Sequence, residues 1–145
     1  MLLLVVQIRQ VPVLIEVDPL SDVPLYQQLR DRVVEAIAQG ELQPGEQLAS
    51  VRQLATQFGI NIATVGKGYE LLRQEGLVRT HRRSGSVVAR GPATGPAPTG
   101  FRETWGGRLR TLLAEAVAQG MTPRAIQEDV AGTLAAFSAP ERTHS

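Results

Sequence analysis

The residues of this 145-residue chain best suited to chemistry are cations and small polar groups, and they gather in one stretch. Arg52, Lys67, Arg82 and Arg83 fall between residues 48 and 89, with Asn61 and Thr64 among them. An arginine grips a phosphate as a charged fork, or donates two N–H groups to guanine O6 and N7. A lysine offers phosphate a point charge, and Asn and Thr bond to phosphates or base edges. Catalysis finds no comparable support. The two histidines are His81 and His144, and there is no cysteine. No disulfide or Cys-ligated zinc can form, and no metal spacing or nucleophile–base pairing is visible. Gly66-Lys67 resembles part of a phosphate loop, but that loop needs Gly at 61 and Ser or Thr at 68. Asn61 and Gly68 stand there. Neither an enzyme nor a bound cofactor is expected.

Charge supports a polyanionic partner only when it is mapped. The whole chain is net +1. Residues 1–43 carry three basic and six acidic side chains, residues 44–90 seven and three, and residues 91–145 five of each. The positive excess therefore sits on the middle stretch, the footprint a phosphate backbone would favour. Solvated surface could show the same excess, so charge alone does not decide.

The elements that must carry these side chains read out from periodicity. Leu25, Leu29, Val33 and Ala36-Ile37 recur at helical spacing, which predicts an amphipathic helix over 24–39, closed by Gly40. Residues 41–45, with Pro44 and Gly45, form a turn. Ser50 and Gln53 have the spacing of a capping box. They open a second helix with Leu54, Ala55 and Phe58 on its buried face. Gly59 ends it and Asn61 caps a third helix, with Ile62, Val65, Tyr69 and Leu72 along one side. Ala55 at the crossing, Gly59 in the turn and Val65 plugging the second helix onto the first suit two helices crossing steeply. Segments 77–81 and 86–89 then pair as strands around the basic tip Arg82-Arg83-Ser84-Gly85. Helix, turn, helix and basic hairpin make a winged helix-turn-helix, which places one helix in the DNA major groove.

The flanks are less explicit. The apolar start, MLLLVVQIRQVPVLIEV, lacks a basic n-region and is interrupted by Gln7 and Arg9. Neither a signal peptide nor a membrane span is expected. Ile15 and Val17 around Glu16 suggest a short strand. Residues 1–13 either extend it or are a surplus start. Gly91 to Gly100 has linker composition. Trp105, Leu109, Leu112, Ala116 and Val117 mark a further helix, and Ile126, Val130, Leu134 and Phe137 another, capped by Thr122-Pro123. The tail from Ser138 is expected to fray. Two short helices cannot bury both apolar faces alone, so they should pack on a second copy, on the DNA-binding domain, or on both.

The stretches PLYQQLRDRVVEAIAQGELQPGEQLASVRQLATQFGI, ATVGKGYELLRQEGLV and RRSGSVVA closely resemble the GntR family of bacterial transcriptional regulators, over roughly residues 14–90. The two helices at 101–137 look like its YtrA-type branch. The resemblance implies a mainly α (α+β) protein: a winged helix-turn-helix at 14–90, a linker at 91–100 and a two-helix dimerisation segment at 101–137. It also implies a cytoplasmic homodimeric repressor on an inverted repeat of double-stranded DNA. A small-molecule effector of unspecified identity is compatible with it, while the larger effector domains of other branches do not fit into 91–145. By the resemblance Arg52, Asn61, Thr64, Lys67, Arg82, Arg83 and Gly85 match DNA-contacting positions. Each has a plainer reading beside it. Arg52 could form a surface ion pair, Asn61 serves also as a helix cap, Lys67 could be solvated, and the hairpin could be ordinary surface. Tyr69 is expected in the core, His81 as structural or solvated, and Trp105 in a helix seam. The sequence departs from the family at Ala49, where Pro is usual, and at Ile62, where Arg or Pro is common. Gly66 and Gly68 also lie inside the third helix, where they either admit close approach to DNA or leave a helix that stiffens on binding. A winged-helix module that binds protein rather than DNA is the alternative.

Overall fold

The computed structural model describes residues 2–6, 13–83 and 85–137. The tail from Ser138 and the tip residue Ser84 lie outside them. In chain order come strands β1 (Leu2–Val6) and β2 (Val13–Val17), then helices α1 (Leu25–Ala38), α2 (Val51–Phe58) and α3 (Ile62–Gln74). Strands β3 (Val78–His81) and β4 (Gly85–Val88) follow, then helices α4 (Phe101–Ala118) and α5 (Pro123–Phe137). The protein is mainly helical, with two small antiparallel sheets. It divides into two compact units, with the boundary between Thr94 and Gly95.

In the first unit, α1, α2 and α3 enclose a core with the two hairpins packed against it. Leu29, Val33 and Ile37 come from α1, Leu54 and Phe58 from α2, and Val65, Tyr69 and Leu72 from α3. Val78 and Val88 bring in the second hairpin, and Ile15 and Val17 the first. Of the residues expected to prolong the strand around Glu16 or to be surplus, 2–6 form a strand of their own, β1, with Leu2 opposite Val17 and Val6 opposite Val13, while Met1 and residues 7–12 lie outside the described residues. Gln28, buried on α1, ties the turn after β2 to the helix. Its Oε1 accepts from the Asp18 N–H at 2.7 Å, and its Nε2 donates to the carbonyls of Asp18 and Val23. Such a pairing is needed for an amide held away from water.

The caps form as the sequence indicates. The Ser50 hydroxyl accepts from the Gln53 N–H at 3.0 Å, and Gln53 Oε1 accepts from the Ser50 N–H at 2.9 Å. Gly59 takes φ +64, a left-handed conformation that side-chain-bearing residues rarely adopt, so the chain reverses sharply between α2 and α3. Ala49, where the family usually has Pro, is buried, and its carbonyl accepts from the Tyr69 hydroxyl. The departure therefore sits inside the core, with a hydrogen bond across to α3.

Two expectations change. Ile62 is not on the buried side of α3; it is the first residue of the helix and is 47% exposed. Gly68 is explained by packing within the protein rather than by approach to DNA. A Cβ built on it would lie 3.0 Å from the Tyr26 carbonyl oxygen and 3.2 Å from Leu29 Cδ2, so glycine lets α1 close onto α3.

The second unit is built differently. None of the residues of α4 or α5 is buried within it. The Thr122 hydroxyl accepts from the Ala125 N–H at 3.2 Å and starts α5. Trp105 is 45% exposed and Leu112 61%, so the expected helix seam leaves the indole largely open.

Candidate nucleic-acid interface

The candidate contact residues occupy consecutive elements of the first unit. Arg52 is the second residue of α2, exposed, with its guanidinium unpaired among the described residues. The surface ion pair that the sequence allowed for it does not form. Asn61 is the N-cap of α3, and its Oδ1 accepts from the Ala63 N–H at 2.8 Å. That oxygen is committed to the cap, which leaves the side-chain N–H groups for a partner. Thr64, half-buried, follows in the first turn. Lys67 is exposed one turn on, with its Nζ 4.0 Å from the centre of the Tyr26 ring. A cation over a tyrosine face is held electrostatically, so Tyr26 fixes where this charge stands. Arg82 and Arg83 form the exposed turn between β3 and β4, and Gly85 opens β4 at φ +71.

The distribution of carboxylates sharpens this picture. The acidic residues of α3 and its C-cap are Glu70 and Glu75. Glu70 pairs with Arg73 at 2.8 Å, and Glu75 accepts from both Nε and Nη2 of Arg30, one edge of the guanidinium. Burial alone would lower the pKa of Arg30. The hydrogen bond that Arg30 donates to Glu75 outweighs that and raises it. The first two turns of α3 therefore carry Lys67 and no carboxylate, while the far end is internally neutralised. An anion meets net positive charge at the N-terminal half of the helix, where the helix dipole adds to it.

The second hairpin is anchored more firmly than two paired strands would be. Gln47 bridges to Val87 on the open edge of β4. The Leu48 N–H donates to the Ser86 carbonyl at 2.8 Å, and the Val88 N–H to that of Glu46 at 2.9 Å. The segment leading into α2 thus forms a third edge, and the hairpin is fixed to the start of the helix that carries Arg52. The Arg83 N–H donates to His81 Nδ1 at 3.3 Å within the turn, a structural role for that imidazole. Arg79, exposed on β3, is a further cation of the hairpin that sequence reasoning passed over. Its place in an alternating strand gave no signal beyond its charge.

Residues 25–88 match the profile described as "Bacterial regulatory proteins, gntR family". The HTH-type transcriptional regulator Rv1152 of Mycobacterium tuberculosis is 34% identical over 98 residues, 68% of this chain and 81% of that protein. The chain belongs to the GntR family. The HTH-type transcriptional repressor YtrA of Bacillus subtilis is 37% identical over 81 residues, 56% of this chain and 62% of YtrA. Among solved structures, YtrA from Sulfolobus acidocaldarius, a GntR-family transcription factor, is 35% identical. It superposes with a TM-score of 0.56 over 72% of this chain and 97% of that one. The GntR membership makes this a DNA-binding transcriptional regulator of the winged helix-turn-helix class and not an enzyme. No helix among the described residues of this GntR protein is long and apolar enough to cross a membrane. No cluster of metal-ligating side chains occurs among them either.

Proposed function

We propose that this GntR-family regulator is a homodimeric repressor acting on an inverted-repeat operator in the cytoplasm. In this reading α3 enters the major groove and the 82–85 turn lies alongside, over phosphate or the minor groove. Arg52, Lys67, Arg82 and Arg83 engage the DNA, and Asn61, Thr64 and the Gly85 turn complete the contact surface. The observation that carries the reading is the charge arrangement on α3. Its leading turns are free of carboxylates while its trailing ones are paired off, flanked by exposed arginines on α2 and the hairpin. The repressor role is supported by the relative named a repressor, YtrA of Bacillus subtilis.

The homodimer is supported by the second unit, where Phe101, Trp105, Leu112, Val117 and Val130 are exposed on two helices without a core of their own. A second copy would cover them, and it would set the spacing of two half-sites.

Fluorescence anisotropy with DNA from immediately upstream of the gene tests the function. A scrambled duplex is titrated beside it at two salt concentrations. Tight, salt-sensitive binding that prefers the upstream duplex is expected. The absence of binding to any duplex at low salt would overturn the reading and leave a protein-interaction module. A gel-filtration mass of one chain at micromolar concentration would overturn the dimer.

A further inference from the structure

The leading turn of α3 presents few polar groups for reading bases. Asn61 spends its carbonyl oxygen on the cap, and Thr64 is half-buried. Ile62 and Ala63 stand exposed beside them, Ile62 at 47%. A large aliphatic group at the tip of a helix that enters a groove gains nothing from water and cannot hydrogen-bond a phosphate. Four residues on, and therefore on the same face, is Gly66, which has no side chain to lay over Ile62. A Cβ built on Gly66 would meet Val51 Cγ1 at 3.9 Å and nothing else within 4 Å, so the glycine leaves this stretch of α3 bare beside the start of α2.

In the major groove the one apolar feature on a base edge is the C5 methyl of thymine. The geometry points to Ile62, with Ala63 and the space over Gly66, as a thymine-methyl reader that determines operator specificity. The inference rests on the reading of this chain as an operator-binding regulator. It accounts for Ile62 and Gly66 together. The first supplies the apolar surface and the second the room, at a position where a charged side chain would favour guanine or phosphate.

Uracil, which is thymine without the methyl, gives the test. A preferred duplex is selected from a random, unmethylated library with the full-length protein, so any methyl read is thymine's. Each thymine is then replaced in turn by deoxyuridine, and affinity is measured for the wild type, Ile62→Ala and Arg52→Ala. For the wild type, uracil at one or two positions per half-site should weaken binding by about three- to tenfold, the worth of one buried methyl or slightly more. Ile62→Ala should bind the thymine duplex more weakly by a similar factor and be blind to uracil at those positions. Arg52→Ala should lose affinity and keep the thymine preference. Ile62 is half-exposed, so an unchanged thermal midpoint should accompany its replacement. A wild type indifferent to every uracil, or an Ile62→Ala variant that discriminates as the wild type does, overturns the inference and leaves operator binding intact. Failure of the library to yield any preferred duplex overturns the operator-binding reading itself.

Discussion

At the scale of single residues, two glycines on one helix should behave oppositely. Gly68 faces α1, and a Cβ there meets backbone at 3.0 Å, which no side-chain rotation relieves. Gly68→Ala should therefore destabilise the protein by about 1–3 kcal/mol, the usual cost of overpacking. Gly66 has room, and its helical backbone suits alanine. Gly66→Ala should stabilise by up to about 1 kcal/mol. Urea denaturation of the two variants checks both signs. Tyr69 supplies a second residue-scale prediction. Burial raises the pKa of its phenol above the ordinary tyrosine value. The folded state thus holds the proton after the unfolded chain has released it. Its contribution is intact below about pH 10, the unfolded value, and is lost as pH rises beyond it. Tyr69→Phe should cost about 1–2 kcal/mol at neutral pH, because the Ala49 carbonyl is left without its hydroxyl partner. It should also flatten the alkaline loss of stability, as read from denaturation midpoints between pH 8 and 11.

At the scale of elements, the start of α2 joins the fold to the interface. The capping box sets the helix, the segment before it bridges to β4, and the second residue is Arg52. Ser50→Ala should cost about 1 kcal/mol of stability through the lost cap. It should also lower affinity for DNA modestly, since Arg52 then rides on a fraying turn. Arg52→Ala should instead leave the midpoint unchanged and weaken binding by about 1–3 kcal/mol. Circular dichroism melts paired with anisotropy titrations separate the two. These elements were legible in the sequence because caps and turns are local chemistry. Ser50 with Gln53, Gly59 and Asn61 each fix backbone groups within four residues. Long-range packing was not legible. The role of Gly68 depends on a carbonyl 42 positions earlier, and the exposure of Ile62 on what the rest of the fold brings to the first residue of α3. The pairing of β1 with β2 depends on a strand register that an apolar run leaves open. Among the candidate contacts, the positions of Arg52, Lys67 and the Arg82-Arg83 turn followed from element order, whereas the seat of Lys67 on Tyr26 needed the crossing of α1 over α3.

At the scale of the molecule, the asymmetry between the units implies a division of labour. Every buried residue among those described lies between Ile15 and Val88, in the first unit, and the helices of the second bury none. The first unit therefore has what it needs to fold alone, while the second has apolar surface and no core to spend it on. A fragment ending at Thr94 should unfold cooperatively with a midpoint close to that of the corresponding transition in the full chain. It should bind a single half-site as the full protein does, yet lose the added affinity for a two-half-site operator, about 100-fold or more, that linked binding supplies. Leu112→Glu in the full chain places a charge at an exposed apolar position of α4, in the second unit. Sedimentation equilibrium should then report one chain where the wild type reports two, and affinity for the full operator should fall towards that of the fragment. If Leu112→Glu remains dimeric, the copies meet through another surface. If it becomes monomeric with operator affinity unchanged, the two half-sites are not read by one dimer, and the inverted-repeat reading fails with it.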